Sequence, residues 1–381
     1  MLDVKKIRTR HETNMMKSPK GKNFIIALDI GYSATKVFCE NGYMCFPSYA
    51  KKLNKGKMLN ITNDKDILYM EDGSDDIYIV GYMAQEMVES SNTNDSDAEL
   101  FSRKRYKDKR FGIVCATGIA LALKTRESND GRNVFIQTGL PASYKDEDTP
   151  AMKSALSREM KFKLKVGAEP WKEFHFQIDK GNIHVIPQPM GSLYSTIITN
   201  EGEYSDDAWD ILPGNVIVLD AGFGTFDFYG FHNREVSCQE STDELGMKQL
   251  LVRASKKIFD ETGVDIRTAA MQKCLTNGTF KYINEDEMVS ENRPIDPYIK
   301  EANEEMIEEL KGKVKSVTNA FADYDYIVIA GGTGEAWLPE IRAWLHGMGT
   351  ITMIESNRND GLPFIYSNVR GYYLYRYAMD H

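Results

Sequence analysis

Three short stretches of this chain combine acids, glycines and hydroxyls at spacings that could handle a phosphate. The first is Asp29-Ile30-Gly31-Tyr32-Ser33-Ala34-Thr35-Lys36, a DxGxxxxK pattern. Gly31 lets the backbone turn close to an anion, and successive amides in such a turn form an anion nest. Ser33 and Thr35 could add hydroxyl donors, and Lys36 brings a point charge suited to phosphate. Asp29 would repel phosphate unless a cation stands between them, so its natural partner is water bound to Mg²⁺. The second stretch is Asp220-Ala221-Gly222-Phe223-Gly224-Thr225-Phe226-Asp227. Its two glycines and threonine make another phosphate-approach turn, and Asp220 is a second acid for Mg²⁺-bound water. Asp227 is expected to be structural, bonding turn amides. The third is Ile329-Ala330-Gly331-Gly332-Thr333-Gly334-Glu335, whose glycines would let a flat base lie against the backbone.

Each stretch alone also describes an ordinary hairpin or strand-to-helix turn. What raises them is the element in front of each. Residues 24–28 are an apolar run ending at Asp29, and residues 216–219 are another ending at Asp220. Such runs fit buried strands. A strand ending in Asp before a glycine turn thus occurs twice, about 190 residues apart. Two similar halves facing each other would bring both turns to one cleft. Residues 326–330 form one more strand, ending in the Gly331-Gly332 turn.

The remaining elements are read the same way. Asn41-Gly42 sits between apolar runs and predicts a hairpin. Residues 134–136 predict a strand, and residues 174–186 predict a hairpin turning at Lys180-Gly181-Asn182. Helices are expected over 111–124 and from Met190. Met247, Leu251, Ala254 and Ile258 fall at helical spacing, as do Ile299, Ala302, Met306, Leu310, Val314, Val317 and Phe321. Residues 51–110 are polar and turn-rich, with an acidic stretch over 95–99. Arg103-Lys104-Arg105-Tyr106-Lys107-Asp108-Lys109-Arg110 is the densest basic cluster. It reads as a solvated surface, or as a contact for an acidic partner or a neighbouring subunit.

Bulk properties narrow the classes. At 381 residues the chain exceeds one ordinary core and suggests two domains. A net charge of -9 argues against coating nucleic acid by charge alone. The five cysteines are scattered with no CxxC, so neither a disulfide framework nor a zinc site is expected. No run is long enough for a transmembrane helix, no signal peptide is seen, and a cytoplasmic location is expected. GxGxxG is absent, as are a Walker P-loop and the HRD and DFG of protein kinases.

The ordered set of three motifs resembles the superfamily of actin, heat-shock 70 kDa chaperones and sugar kinases. Asp29, Gly31 and Lys36 match its first phosphate hairpin. Asp220, Gly222, Gly224 and Thr225 match the second, and Gly331 and Gly332 match the adenosine motif. Within it the chain looks most like bacterial actins of the ParM/StbA plasmid-segregation type, over residues 24–378. The resemblance implies an α/β, actin-like fold of two similar domains, each with a smaller subdomain, around a nucleotide cleft. Residues 1–22 would be a flexible basic tail. Domain I would span 23–188 with an insert at about 47–110 and be completed by 362–381. Domain II would span 189–361 with an insert at about 240–325.

The resemblance also implies an ATPase that binds ATP, or else GTP, with Mg²⁺. Gly31, Tyr32, Ser33, Ala34, Thr35, Lys36, Gly222, Phe223, Gly224, Thr225, Gly246, Gly331, Gly332, Thr333 and Glu335 would meet the nucleotide. Asp29 and Asp220 would fix the metal's water shell, and Gln188 would orient the attacking water. Actin has a serine where Tyr32 stands, so phosphate contact falls to Ser33 or to backbone amides. Residues 185–189 and 367–373 resemble the two connectors between domains. The implied function is a head-to-tail filament that segregates plasmid or phage DNA through a DNA-binding adaptor, touching DNA only indirectly. A cell-shape or regulatory actin and a small-molecule kinase are the alternatives. Residues 1–22 lack the apolar face of a membrane-binding helix, so no membrane partner is expected.

Overall fold

The computed structural model describes residue 2 and residues 4–53, 63–87 and 103–380. The acidic stretch at 95–99, and part of the expected insert at 47–110, lie outside them.

The first half is built on a six-stranded sheet. Its strands are β1 (Glu12–Met15), β2 (Phe24–Ile30), β3 (Ala34–Cys39), β4 (Gly42–Pro47), β8 (Val134–Leu140) and β11 (Ile183–Pro187), in the order β1-β4-β3-β2-β8-β11. A second sheet joins β5 (Ala50–Lys52), β6 (Ile67–Glu71) and β7 (Ile77–Val80) to β9 (Met160–Val166) and β10 (Lys172–Phe176). The smaller subdomain therefore draws on chain far beyond the 47–110 insert.

The other half uses β12 (Val216–Ala221), β13 (Phe226–His232), β14 (Glu235–Thr242), β17 (Tyr326–Ala330) and β18 (Thr352–Glu355), in the order β14-β13-β12-β17-β18. Between β14 and β17 lie helices Met247–Thr262, Thr268–Asn277 and Asp296–Thr318, and the hairpin of β15 (Thr279–Asn284) and β16 (Val289–Pro294).

The two large sheets repeat one topology. β2 pairs antiparallel with β3 and parallel with β8. β12 pairs antiparallel with β13 and parallel with β17. On β2, Phe24, Ile26 and Leu28 face the first half's own core, while Ile25 and Ala27 face a third core between the sheets. On β12, Ile217 and Leu219 face the second half's core, while Val216 and Val218 face the shared one. That is the period-2 alternation of a strand.

Two helices run through the shared core: Gln188–Ile197 after β11, and Ser367–Met379 near the C-terminus. They cross at Gly191 and Gly371, where a Cβ on Gly371 would lie 1.7 Å from the Gly191 carbonyl oxygen. Helix Ser367–Met379 also packs on β2 and β8. The C-terminal segment thus returns to the first half.

Two sequence expectations change. Residues 174–186 are not a hairpin: β10 pairs with β9 and β11 with β8, in different sheets. Lys180–Asn182 is a 3-10 turn between them. Nor is the N-terminal segment a free tail. Leu2 is buried in the second half's core, Val4–Ile7 forms a 3-10 turn, and β1 pairs along β4. Edge pairing of this kind needs backbone groups rather than apolar side chains, so its basic composition did not reveal it. Among the described residues no helix is long and apolar enough to cross a membrane.

Candidate functional site

The alternation that sorts the cores also aims the acids. Asp29 shares a strand face with Ile25 and Ala27, and Asp220 shares one with Val216 and Val218. Both therefore point between the halves, from the C-terminal ends of their strands. Each is paired across its hairpin: Asp29 with Lys36, and Asp220 with Asp227. The turns close alike, the Gly31 amide donating to the Ala34 carbonyl at 3.1 Å and the Gly222 amide to that of Thr225 at 2.9 Å.

The two pairs differ in charge. Lys36 donates to an Asp29 oxygen at 3.0 Å. Burial works to lower its pKa, but Asp29 above all outweighs this and holds the ammonium above its ordinary range. Asp220 instead faces a second carboxylate across its hairpin, and Lys36 reaches it only as a weaker influence. Asn368 donates to its Oδ2 at 2.7 Å, while Oδ1 is buried without a partner. Burial, and then the neighbouring Asp227, push the Asp220 carboxyl up to about 7. Burial also raises Asp227, to about 6, against hydroxyl donors. Those donors are Ser241 and Thr225, the latter at 2.9 Å, and the Ala142 amide adds a bond at 3.3 Å. Asp227 thus has a structural place, but through hydroxyls and through an amide of the other half rather than the expected turn amides, and it ties the second half to the first.

The third motif supports the second hairpin. Gly331 has φ +80° and lies where a Cβ would be 2.2 Å from the Ala221 carbonyl oxygen, so only glycine fits. Thr333 donates its hydroxyl to the Gly222 carbonyl at 2.8 Å. Gln188 opens its helix and borders the cleft. Asn368, missed in the sequence, is oriented by Ser192, whose amide and hydroxyl both donate to its Oδ1. That leaves its NH₂ for Asp220.

Most residues expected at a nucleotide do border the cleft, and three do not. Thr35 is fully buried on the opposite face of β3 and bonds Ser48 at 2.9 Å. Strand alternation decides this: Ala34 and Phe38 face the shared core, while Val37 and Cys39 flank Thr35 on the other side. Gly246 caps helix Met247–Thr262 behind the second hairpin, whose Phe223 carbonyl accepts from the Lys248 amide at 2.8 Å. Glu335 accepts from the Phe364 amide at 3.0 Å and pairs with Lys6 at 3.5 Å.

The Tyr32 ring turns toward the second hairpin. It packs where a Cβ on Gly224 would be, so it bridges the two hairpins. The Arg105 guanidinium lies over it, 4.3 Å from the ring centre, and donates to the Ile30 carbonyl at 2.7 Å. The basic cluster thereby splits. Arg103 pairs with Asp148 and Glu147, and Lys109 with Glu71, near the surface. Arg105 instead is buried and borders the cleft.

Polyphosphate with Mg²⁺ fits this donor set. Two glycine turns, a charged lysine and a buried arginine offer donors, and the buried Asp220 Oδ1 is an acceptor that no protein group uses. No group of three or more His, Cys, Asp or Glu among the described residues could cage a metal.

Residues 27–191 match the family described as actin like proteins N terminal domain. No curated protein sequence matches the chain. Among solved structures it is similar to a pCBH ParM non-polymerisable quadruple mutant, with a TM-score of 0.70 and 18% identity over 93% of this chain and 99% of that one. It is also similar to ParM in a 15-stranded filament from Clostridium botulinum, at TM-score 0.67 and 19% identity over 93% and 98%. An archaeal actin homologue in complex with ADP matches at TM-score 0.60 and 19% identity over 92% and 98%. The chain has an actin-like fold, and the family match falls on its first half.

Proposed function

We propose, on the premise of an actin-like fold with two facing aspartate hairpins, that the chain binds ATP with Mg²⁺ and hydrolyses it. The observation that carries this is the buried, unpartnered oxygen of Asp220, which borders one cleft with Asp29 and both glycine turns. GTP is the alternative base. The turns at Gly31 and Gly222 and the Lys36 ammonium would hold the phosphates. Asp29 and Asp220 would hold the water shell of Mg²⁺, whose charge would offset that of the phosphate oxygens. Asn368 would keep Asp220 in place. The neutral amide of Gln188 would position the attacking water without deprotonating it, which suffices where catalysis is mainly placement and charge stabilisation.

The cleft lies between halves joined by two crossing helices, so its closure on a nucleotide couples chemistry to shape. We read the chain as polymerising head to tail, since heterologous contacts that do not close produce filaments. ParM solved as a filament with this fold supports that reading. The acidic net charge of -9 supports an adaptor protein between the filament and plasmid or phage DNA. Light scattering and electron microscopy with ATP-Mg, with phosphate release followed in parallel, test it. Filaments should form above a threshold protein concentration, with phosphate released after assembly. No polymer at any concentration, with turnover only on an added sugar, would make the chain a small-molecule kinase.

A further inference from the structure

The N-terminal arm runs across the same cleft. Leu2 is buried in the second half's core, and Val4–Ile7 packs on helices Thr268–Asn277 and Gly332–Leu345. At the arm's other end β1 joins the first half's sheet. Between these anchors, Lys6, Arg8 and Arg10 border the cleft. Lys6 is matched by Glu335, and Arg10 by Glu12 at 3.7 Å. Arg8 has no carboxylate partner among the described residues, and its Nε is buried without a hydrogen bond.

Arg105 lies deeper than the half-buried Arg8. It is 6% exposed, its Nε is also orphaned, and its bond to the Ile30 carbonyl neutralises no charge. Two guanidiniums, one from the arm and one from the first half, therefore carry unmatched positive charge at one cleft. For the buried Arg105 that is costly unless an opposite charge meets it, and the half-buried Arg8 adds to the same positive field. The sign of the charge separates two roles for the arm. A segment that plugs a phosphate site in place of ligand must be acidic, to satisfy the turn amides and Lys36. This arm is basic, so it complements a polyanion rather than imitating one.

We infer that the arm is a third wall of the nucleotide site, and that Arg8 binds the polyphosphate together with Arg105. The inference rests on the proposed reading of the cleft. Guanidinium donors recognise phosphate oxygens by paired, charge-assisted hydrogen bonds. Arg8 is the residue to test, because it lies outside the three motifs and outside both sheets.

The experiment is equilibrium titration of a fluorescent ATP analogue with Mg²⁺ against wild type, Arg8→Gln and the surface control Lys20→Gln. Circular dichroism checks the fold of each. Arg8→Gln should weaken binding about tenfold or more, the loss expected for a charged hydrogen bond. Lys20→Gln should match wild type. If Arg8→Gln does not fold, Arg8→Lys carries the test and should show a smaller loss, since the charge remains and the planar fork is gone. Unchanged affinity in a folded Arg8 variant overturns the inference. Tighter binding overturns it too and makes the arm a plug. A wild-type chain that binds no nucleoside triphosphate sinks the reading of the cleft itself, and this inference with it.

Discussion

Asp29 and Asp220 were legible in the sequence because each ends an apolar strand before a glycine turn, and such a strand end fixes a side chain's direction. Thr35 was misplaced because hydroxyl chemistry was weighed without strand parity. Ala34 and Lys36 border the cleft, so Thr35 between them must face the core. Arg105 and Asn368 were beyond reach. Their partners Ile30 and Asp220 are 75 and 148 residues away, and no local pattern announces them. At this scale Gln188 is the sharpest test of mechanism. Gln188→Ala should slow ATP hydrolysis tenfold or more while changing nucleotide affinity by less than about threefold, because a water-positioning group acts on the transition state. Equal losses in steady-state turnover and in binding would make Gln188 structural.

At the scale of elements, local pattern located most strands but not their partners. β10 and β11 alternate as hairpin strands would, yet the pairing is set by β9 and β8 in separate sheets. The crossing of the two connector helices invites a direct test. A methyl at Gly371 meets backbone rather than a flexible side chain. Gly371→Ala should cost about 1–3 kcal/mol or more, the range for overpacking, seen as a lower urea midpoint. An unchanged midpoint would mean the crossing is loose. The arm carries its own handle in His11, which packs beside Gly81. Burial, and then Lys65, pull His11 down to about 4 from an ordinary 6.5. The docked arm thus favours neutral His11, while a detached arm takes up a proton near pH 6.5. Docking is full above that value and weakens as pH falls from 6.5 toward 4. Trypsin should cut the wild-type arm faster, relative to His11→Gln at the same pH, at pH 5.5 than at pH 7.5. Equal ratios at both would show that His11 does not govern docking.

For the whole molecule, duplication was the most legible feature. Two Asp-ended strands predicted two halves, and both large sheets share one strand order around β2 and β12. What the sequence could not show is how the halves are joined. A carboxylate of the second half, Asp227, holds an amide of the first, and one helix crosses another at paired glycines. We propose that this junction is a nucleotide clamp completed by a divalent cation. Calorimetric titration of ATP into wild type and Asp220→Ala, each with Mg²⁺ and with chelator, measures it directly. Mg²⁺ should tighten ATP binding to wild type at least tenfold, and this gain should disappear in Asp220→Ala. Binding that is equally tight in all four titrations would contradict it.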